Sequence, residues 1–351
     1  MKKILLSLAI ICLALSLCAK TETIKGESFV AVKNYPTKLA FDHIKKGSVS
    51  VRNSYDSAYP DKNYTNAPFI VYEEGKDYVI DYEKGTVSRC EGSRIPDYVK
   101  NDVARMKVFN HGDPGLEFAN YAYQTYIDYT TENYTDMFEK TGQAKYLPKT
   151  LKALKKGTPI KYVAYGDSIT AGGDTTRPEN IYFNRWIQHL KTKYRKADIT
   201  VVNGATGGDT SYQGMERLDS KCLAENPNLV SIGFGMNDNN TISYMSQEQY
   251  ESYLQNMVDR IKAHNPDCEI IILSSYNPKD NWFYNSHKMS EFTATAQKVA
   301  KKNRLAFVNI EKAMQAFFDI KGQSSMLGNN INHPTDFGHW VWFKQLEAAT
   351  F

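Results

Sequence analysis

The sequence predicts a doubly wound α/β domain with a five-stranded parallel sheet, preceded by a small β-sandwich-like domain. After Pro159, five short apolar runs alternate with amphipathic segments of helical length. Strands joined through helices must cross over, so they lie parallel. Before that point, from about residue 21 to 135, the chain alternates with period two between clusters of turn-formers, the pattern of short antiparallel strands. At 351 residues the chain also exceeds what one hydrophobic core usually organises, which argues for two domains.

Residues 1–19 begin with Lys2 and Lys3, continue as an apolar run and end in small residues, which is the layout of a secretory signal peptide. Export is therefore expected, leaving the protein secreted, periplasmic or lipid-anchored at the cell surface. Ser16-Leu17-Cys18 fits a small-x-small cleavage site, while Leu15 to Cys18 resembles a lipobox; lipidation of Cys18 would tether the chain without a transmembrane helix. No other run is long enough to span a bilayer.

Residues 20–135 form the expected β-rich domain and hold 13 of the 24 tyrosines. Tyr78-Val79-Ile80-Asp81-Tyr82 and Tyr126-Ile127-Asp128-Tyr129 read as strands, with turns at Glu74-Gly75-Lys76, Glu83-Lys84-Gly85 and Gly112-Asp113-Pro114-Gly115. Aromatics in strands usually pack in cores or across strands, and that reading is preferred to sugar stacking. Residues 136–157 read as a linker, with Lys149 to Lys156 a short solvated helix closed by Gly157. In residues 158–351 the buried strands are Ile160 to Ala164, Ile199 to Val202, Leu229 to Phe234, Glu269 to Leu273 and Leu305 to Ile310. The helices fall near 181–196, 213–225, 246–264 and 287–302.

Composition narrows the function. The formal charge is +4, or +2 without Lys2 and Lys3, which is no footprint for nucleic acid. Cys90, Cys222 and Cys268 are too few and too odd a set for a disulfide framework and read as small apolar residues. His333 and His339 form a close pair of metal-ligand type but lack a third ligand beside them. No metal or other cofactor is expected.

In a parallel sheet of this kind ligands bind at the carboxyl ends of the strands. Gly166-Asp167-Ser168 follows the first strand of the α/β region; by itself it is also an ordinary helix cap. After the second strand comes the glycine-rich turn Asn203-Gly204-Ala205-Thr206-Gly207-Gly208-Asp209-Thr210, whose N–H groups can approach a ligand closely. Gly235-Met236-Asn237-Asp238 follows the third and supplies an amide donor. Asn330-Ile331-Asn332-His333-Pro334 precedes the last helix.

Together these blocks resemble the SGNH (GDSL-like) hydrolase family over most of residues 160–345. The resemblance implies a flavodoxin-like sheet with Ser168 as nucleophile and His333 as general base. It also implies an oxyanion hole made by the Ser168 N–H, the Gly208 N–H and the Asn237 amide. Gly207 is the one-residue alternative to Gly208, which is chosen because Gly-Asp-Thr is the usual continuation. His339 is not assigned a catalytic role, since the family histidine precedes the proline. The family commonly places Asp three residues before that histidine, and here Asn330 stands there, so Asn330 is the candidate third triad member. If Asn330 faces His333, Asn330→Asp should preserve or raise turnover. Asp336 is nearby in sequence, without geometry to support it.

The expected function is that of a serine esterase forming an acyl-enzyme on short acyl esters, acetyl above all. Its substrate is a small acyl ester or an acylated polysaccharide. The competing reading, motivated by Asn330 and the tyrosine-rich region, is a catalytically weak scaffold that binds carbohydrate.

Overall fold

The computed structural model describes residues 20–55 and 68–351; the proposed leader, with Cys18, lies outside them. In the β-rich region the strands are β1 (Lys20–Phe29), β2 (Thr37–Lys38), β3 (Ser50–Arg52), β4 (Val71–Tyr72), β5 (Tyr78–Asp81), β6 (Thr86–Arg89) and β7 (Thr125–Tyr134). They form two antiparallel sheets, ordered β1-β7-β3-β4 and β2-β6-β5. Tyr72, Tyr78, Tyr98, Tyr126 and Tyr129 are all buried, in keeping with tyrosines that pack rather than face solvent.

Helix α1 (Pro148–Lys156) then leads into the α/β region. Gly157 closes α1 at φ +76°, the left-handed conformation that suits glycine at a helix end. This helix is not solvated all round, because Thr150 and Leu154 are buried. Its first N–H groups, those of Lys149 and Thr150, donate to the Glu269 carboxylate at 2.8 and 2.7 Å. Such a cap offsets the unpaired donors of a helix start.

The elements that follow are β8 (Ile160–Gly166), α2 (Ser168–Ala171), α3 (Tyr182–Lys193), β9 (Ile199–Asn203), α4 (Ser211–Lys221) and β10 (Leu229–Gly233). After these come α5 (Gln247–His264), β11 (Glu269–Leu273), α6 (Met289–Lys302), β12 (Ala306–Val308), α7 (Ile310–Lys321) and α8 (Asp336–Thr350). The sheet is parallel and five-stranded, in the order β9-β8-β10-β11-β12. Its helices fall into two packed groups, α3 with α8 and α7, and α4 with α5 and α6. Continuous burial of β10 and β11 is what coverage of both faces produces. Cys222 and Cys268 are buried within this region, while Cys90 is half-buried.

A large apolar cluster runs through both regions, from Ile24, Phe29 and Tyr129 to Phe317 and Phe337. Phe41 sits edge-on to Phe317 and Trp340, at 6.1 and 6.5 Å between ring centroids. Within this contact Lys321 of α7 forms an ion pair with Glu27 of β1, both side chains being fully buried. Glu27 also accepts the Ala40 N–H at 2.8 Å and the Tyr129 hydroxyl at 2.6 Å. Burial lowers the Lys321 pKa, opposed by the adjoining carboxylate.

Removing one member of such a pair leaves an unpaired buried charge, which typically costs about 3–5 kcal/mol. Lys321→Met is therefore expected to lower the unfolding free energy by about that amount. Denaturant titration checks this; a change below about 1 kcal/mol would mean that the two regions do not rely on the pair.

Candidate active site

Strands β9 and β10 flank β8 on its two sides, so the carboxyl end of β8 is the switch point where an α/β sheet opens a crevice. The loops after β8, β9 and β10 converge there, carrying Ser168, Gly207-Gly208 and Asn237. At Gly166 a Cβ would stand 2.5 Å from both Gly233 O and Thr170 Oγ1. Only glycine lets the chain turn this tightly against β10. Asp167 Oδ1 then accepts the Ile169 N–H at 2.9 Å and caps the turn of helix that begins with Ser168. Burial pushes the Asp167 carboxyl up to about 7.

His333 is delivered by a turn that Asn329 organises. Asn329 Oδ1 accepts the N–H groups of Ile331, Asn332 and His333 at 3.0, 2.9 and 2.9 Å, an Asx arrangement that fixes three consecutive residues. Tyr276 donates its hydroxyl to Asn332 O at 2.6 Å. The turn brings His333 Nε2 to 2.9 Å from Ser168 Oγ. Gly173 approaches the same ring closely, since a Cβ there would stand 2.9 Å from Nδ1.

The carboxylate nearest His333 Nδ1 belongs to Asp174, with Oδ2 at 3.6 Å. That is ion-pair reach, longer than a formed hydrogen bond, and such contacts are often long before substrate binds. Asp174 sits at φ +62°, a left-handed conformation that Asp tolerates better than most residues. Its other oxygen accepts the Tyr121 hydroxyl at 3.1 Å. Burial opposes ionisation of His333, but the Asp174 carboxylate, with Asp167 behind it, outweighs burial and raises its pKa above 6.5.

Asn330 occupies a different place from the one its spacing implies. It is fully buried and donates to Tyr98 Oη at 2.9 Å and Phe118 O at 3.0 Å, while its Oδ1 accepts from Ser324 Oγ at 3.1 Å. Those bonds commit its amide to the β-rich region, and Asp174 stands at the imidazole instead. The backbone explains the difference: φ is +56° at Asn330, so its side chain leaves the loop in another direction from that of an extended residue. Asp336 is also elsewhere, accepting the Thr176 N–H at 3.1 Å. His339 lies buried on α8, stacked on Tyr182 at 6.1 Å, where burial lowers its pKa to about 3.

Gly208 has φ +82°, and a Cβ on neighbouring Gly207 would lie 3.8 Å from Ser168 Cβ. Asn237 Nδ2 donates to Asp209 O at 2.9 Å, which ties the third loop to the second and leaves its other amide hydrogen for a ligand. Buried Asp238 accepts the Ser211 N–H at 3.0 Å and also the Ser211 hydroxyl. These bonds hold the loops carrying Gly208 and Asn237 in mutual register. A pocket of about 710 Å³ contains Ser168, His333 and Asp174 and is walled partly by Tyr121, Gln124 and Tyr126 of the β-rich region.

This geometry brings a serine hydroxyl, an imidazole and a carboxylate together at the switch point of a parallel sheet. The GDSL-like Lipase/Acylhydrolase family model matches residues 164–341, and the chain belongs to that family of carboxylic-ester hydrolases. It is 29% identical over 147 residues to Esterase TesA of Pseudomonas aeruginosa, covering 41% of this chain and 66% of that one. It is 24% identical over 207 residues to the Acetylxylan esterase of Geobacillus stearothermophilus, covering 54% of this chain and 92% of that one. Among solved structures, a catalytic mutant of the acetylxylan esterase Axe2 from Geobacillus stearothermophilus superposes with a TM-score of 0.47 at 21% identity. That match covers 55% of this chain and 95% of the other.

Sequence reasoning missed Asp174, Tyr121 and Asn329. The adjacent glycines, Gly172 and Gly173, were the available signal, because paired glycines mark a close approach of backbone to another group.

Since Asn330 both donates and accepts, Asn330→Asp would set a carboxylate against the Phe118 carbonyl. We expect that variant to lose about 1–3 kcal/mol of stability with no gain in turnover, measured by denaturant titration beside ester hydrolysis; a faster, equally stable enzyme would show that Asn330 serves His333 after all. Tyr121→Phe leaves Asp174 with one contact fewer and is expected to lower kcat several-fold and shift the acid limb of the pH profile. An unaltered profile would reduce Tyr121 to a pocket wall.

Proposed function

We propose that the protein is an exported serine esterase that removes short acyl groups, acetyl above all, from a polysaccharide. The observation that carries this is the 2.9 Å contact of Ser168 Oγ with His333 Nε2, with the Asp174 carboxylate behind the ring. Ser168 Oγ attacks the acyl carbon while His333 Nε2 takes its proton, and the Asp174 charge stabilises the imidazolium that forms. The Ser168 and Gly208 N–H groups and the Asn237 amide stabilise the oxyanion. His333 then protonates the departing alcohol, and water, activated by the same imidazole, hydrolyses the acyl-enzyme.

Asn330 and the tyrosine-rich region were the reasons to consider an inactive scaffold; the Asp174 carboxylate beside His333 weighs against the first, and the burial of Tyr72, Tyr78, Tyr98, Tyr126 and Tyr129 weighs against the second. Likeness to an acetylxylan esterase along 92% of that enzyme's length supports the acetyl-polysaccharide assignment. In the same proposal, residues 1–19 are the export signal, ending either in a small-x-small cleavage site or in lipidation of Cys18, and residues 20–135 are a β-rich domain whose segment near Tyr121 completes the catalytic pocket.

The mature protein is expected to hydrolyse 4-nitrophenyl acetate and to release acetate from acetylated xylan, and Ser168→Ala to abolish both. Activity that survives Ser168→Ala would remove the serine from the mechanism. His333 must be neutral to accept a proton, so kcat/KM should rise with pH through an apparent pKa above 6.5. Asp174→Asn takes away the charge that raises this pKa and leaves burial, which lowers it. Its acid limb is therefore expected at lower pH than in the wild type, with kcat reduced by up to about 10⁴-fold. A limb that stays in place would mean that another group holds the imidazolium.

A further inference from the structure

A second groove, of about 600 Å³, opens from Gly208 and Asn237, the residues assigned to the oxyanion. Tyr212, Tyr244 and Tyr253 line it, with the amides of Gln213 and Gln249 among its polar groups, and none of its lining side chains is charged. Tyr244 is 90% exposed and has φ +49°, a conformation that a bulky residue adopts only when its surroundings impose it. The surroundings here do so. The Thr241 N–H donates to Tyr284 O at 2.9 Å, Ser243 Oγ donates to Asp238 O at 2.8 Å and Ser286 Oγ donates to Asn239 Oδ1 at 2.7 Å. The loop is thus anchored at several points in a shape that holds an aromatic ring out in water, where the ring buries nothing that would stabilise the fold. Tyr212, on α4, is 40% exposed and lies 5.4 Å from the Tyr253 ring of α5.

We propose that this groove binds the unesterified sugar units that flank the acetylated one, as a subsite for a neutral polysaccharide backbone. This rests on the acetyl-polysaccharide reading of Ser168. Three features argue for that occupant. Tyrosine rings present flat apolar faces with a polar rim, which suit the C–H faces of a pyranose. Amide side chains both donate and accept, which suits its hydroxyls. An uncharged lining gives no counter-charge to a uronic acid or phosphate group. The volume is also far larger than an acetyl group requires, and continuity with Gly208 and Asn237 places the groove beside the reacting carbon.

The test compares Tyr244→Ala and Tyr212→Ala with the wild type on acetylated xylo-oligosaccharides and on 4-nitrophenyl acetate. Alongside this, binding of xylohexaose, mannohexaose and hexagalacturonate to the Ser168→Ala protein is measured by calorimetry. We expect the ratio of kcat/KM on the acetylated oligosaccharide to that on 4-nitrophenyl acetate to fall about tenfold for each variant, carried by KM. At least one neutral hexaose should bind, more weakly once Tyr244 is removed. Because the binding arm needs no catalysis, neutral hexaose binding that depends on Tyr244 would support the groove even if no acetyl ester were cleaved. An active esterase that binds none of the hexaoses would overturn the groove while leaving the esterase reading intact. Equal affinity for hexagalacturonate, or losses confined to long-chain 4-nitrophenyl esters, would overturn it as well, the latter marking an acyl channel.

Discussion

A hydrogen bond of 2.9 Å between Ser168 and His333 joins residues 165 positions apart, and much of the surrounding structure serves to hold its two ends. Mispositioning of a reacting group by about 1 Å can cost on the order of 10²-fold in rate, so each end needs over-determined support. The serine end is fixed by the sheet itself: β8 is held between β9 and β10, Gly166 turns against β10, and Asp167 caps the helix that begins with Ser168. The histidine end has no regular element beneath it. It relies instead on Asn329 gathering three N–H groups and on Gly173 leaving room for the ring.

That second end draws the β-rich region into the chemistry. Asn120 and Gln124 donate to Ser324 O at 2.6 and 2.9 Å, Tyr98 meets both Ser324 and Asn330, and Tyr121 holds the carboxylate behind the imidazole. Lys279 also donates to Ser324 from the loop after β11, and burial lowers its pKa to about 8. Buried polar groups of this kind are stabilising only when their partners are all in place. The loop before His333 therefore takes its shape from contacts in both regions. The shared apolar cluster and the Glu27–Lys321 pair serve the same end, because they keep the two surfaces from sliding.

The parallel sheet was legible because its strands are buried on both faces, and burial on both faces leaves continuous apolar runs that periodicity detects. Glu269 to Leu273, for instance, was read with the bounds the strand has. Ser168, the glycines after β9 and Asn237 stand where strand ends meet loops, so a sequence that locates the strands also locates these residues, whereas His333 was legible from the residues around it, just before the last helix. Asp174 could not be found in that way. Its role depends on a left-handed turn after a single turn of helix and on a tyrosine 53 residues upstream, neither of which leaves a periodic trace. Asn330 was misplaced for a related reason. Spacing along the chain fixes distance from His333 but not direction, and a positive φ turned the side chain towards Tyr98.

The charges around the pair also bear on when the site is active. Three carboxyl groups, Asp167, Asp174 and Asp238, lie in or beside the crevice, and burial separates their roles. Asp238 is pushed up to about 6 and Asp167 to about 7, and each spends an oxygen on a backbone N–H that shapes a loop. Asp174 stands closest to His333 and contributes most to raising its pKa, with Asp167 a smaller contributor. The Asp167 charge is therefore the lesser part of the field that favours imidazolium. Removing Asp167 would consequently disturb both the cap that sets Ser168 and the charge that tunes His333, which makes Asp174 the cleaner probe of electrostatics in this site.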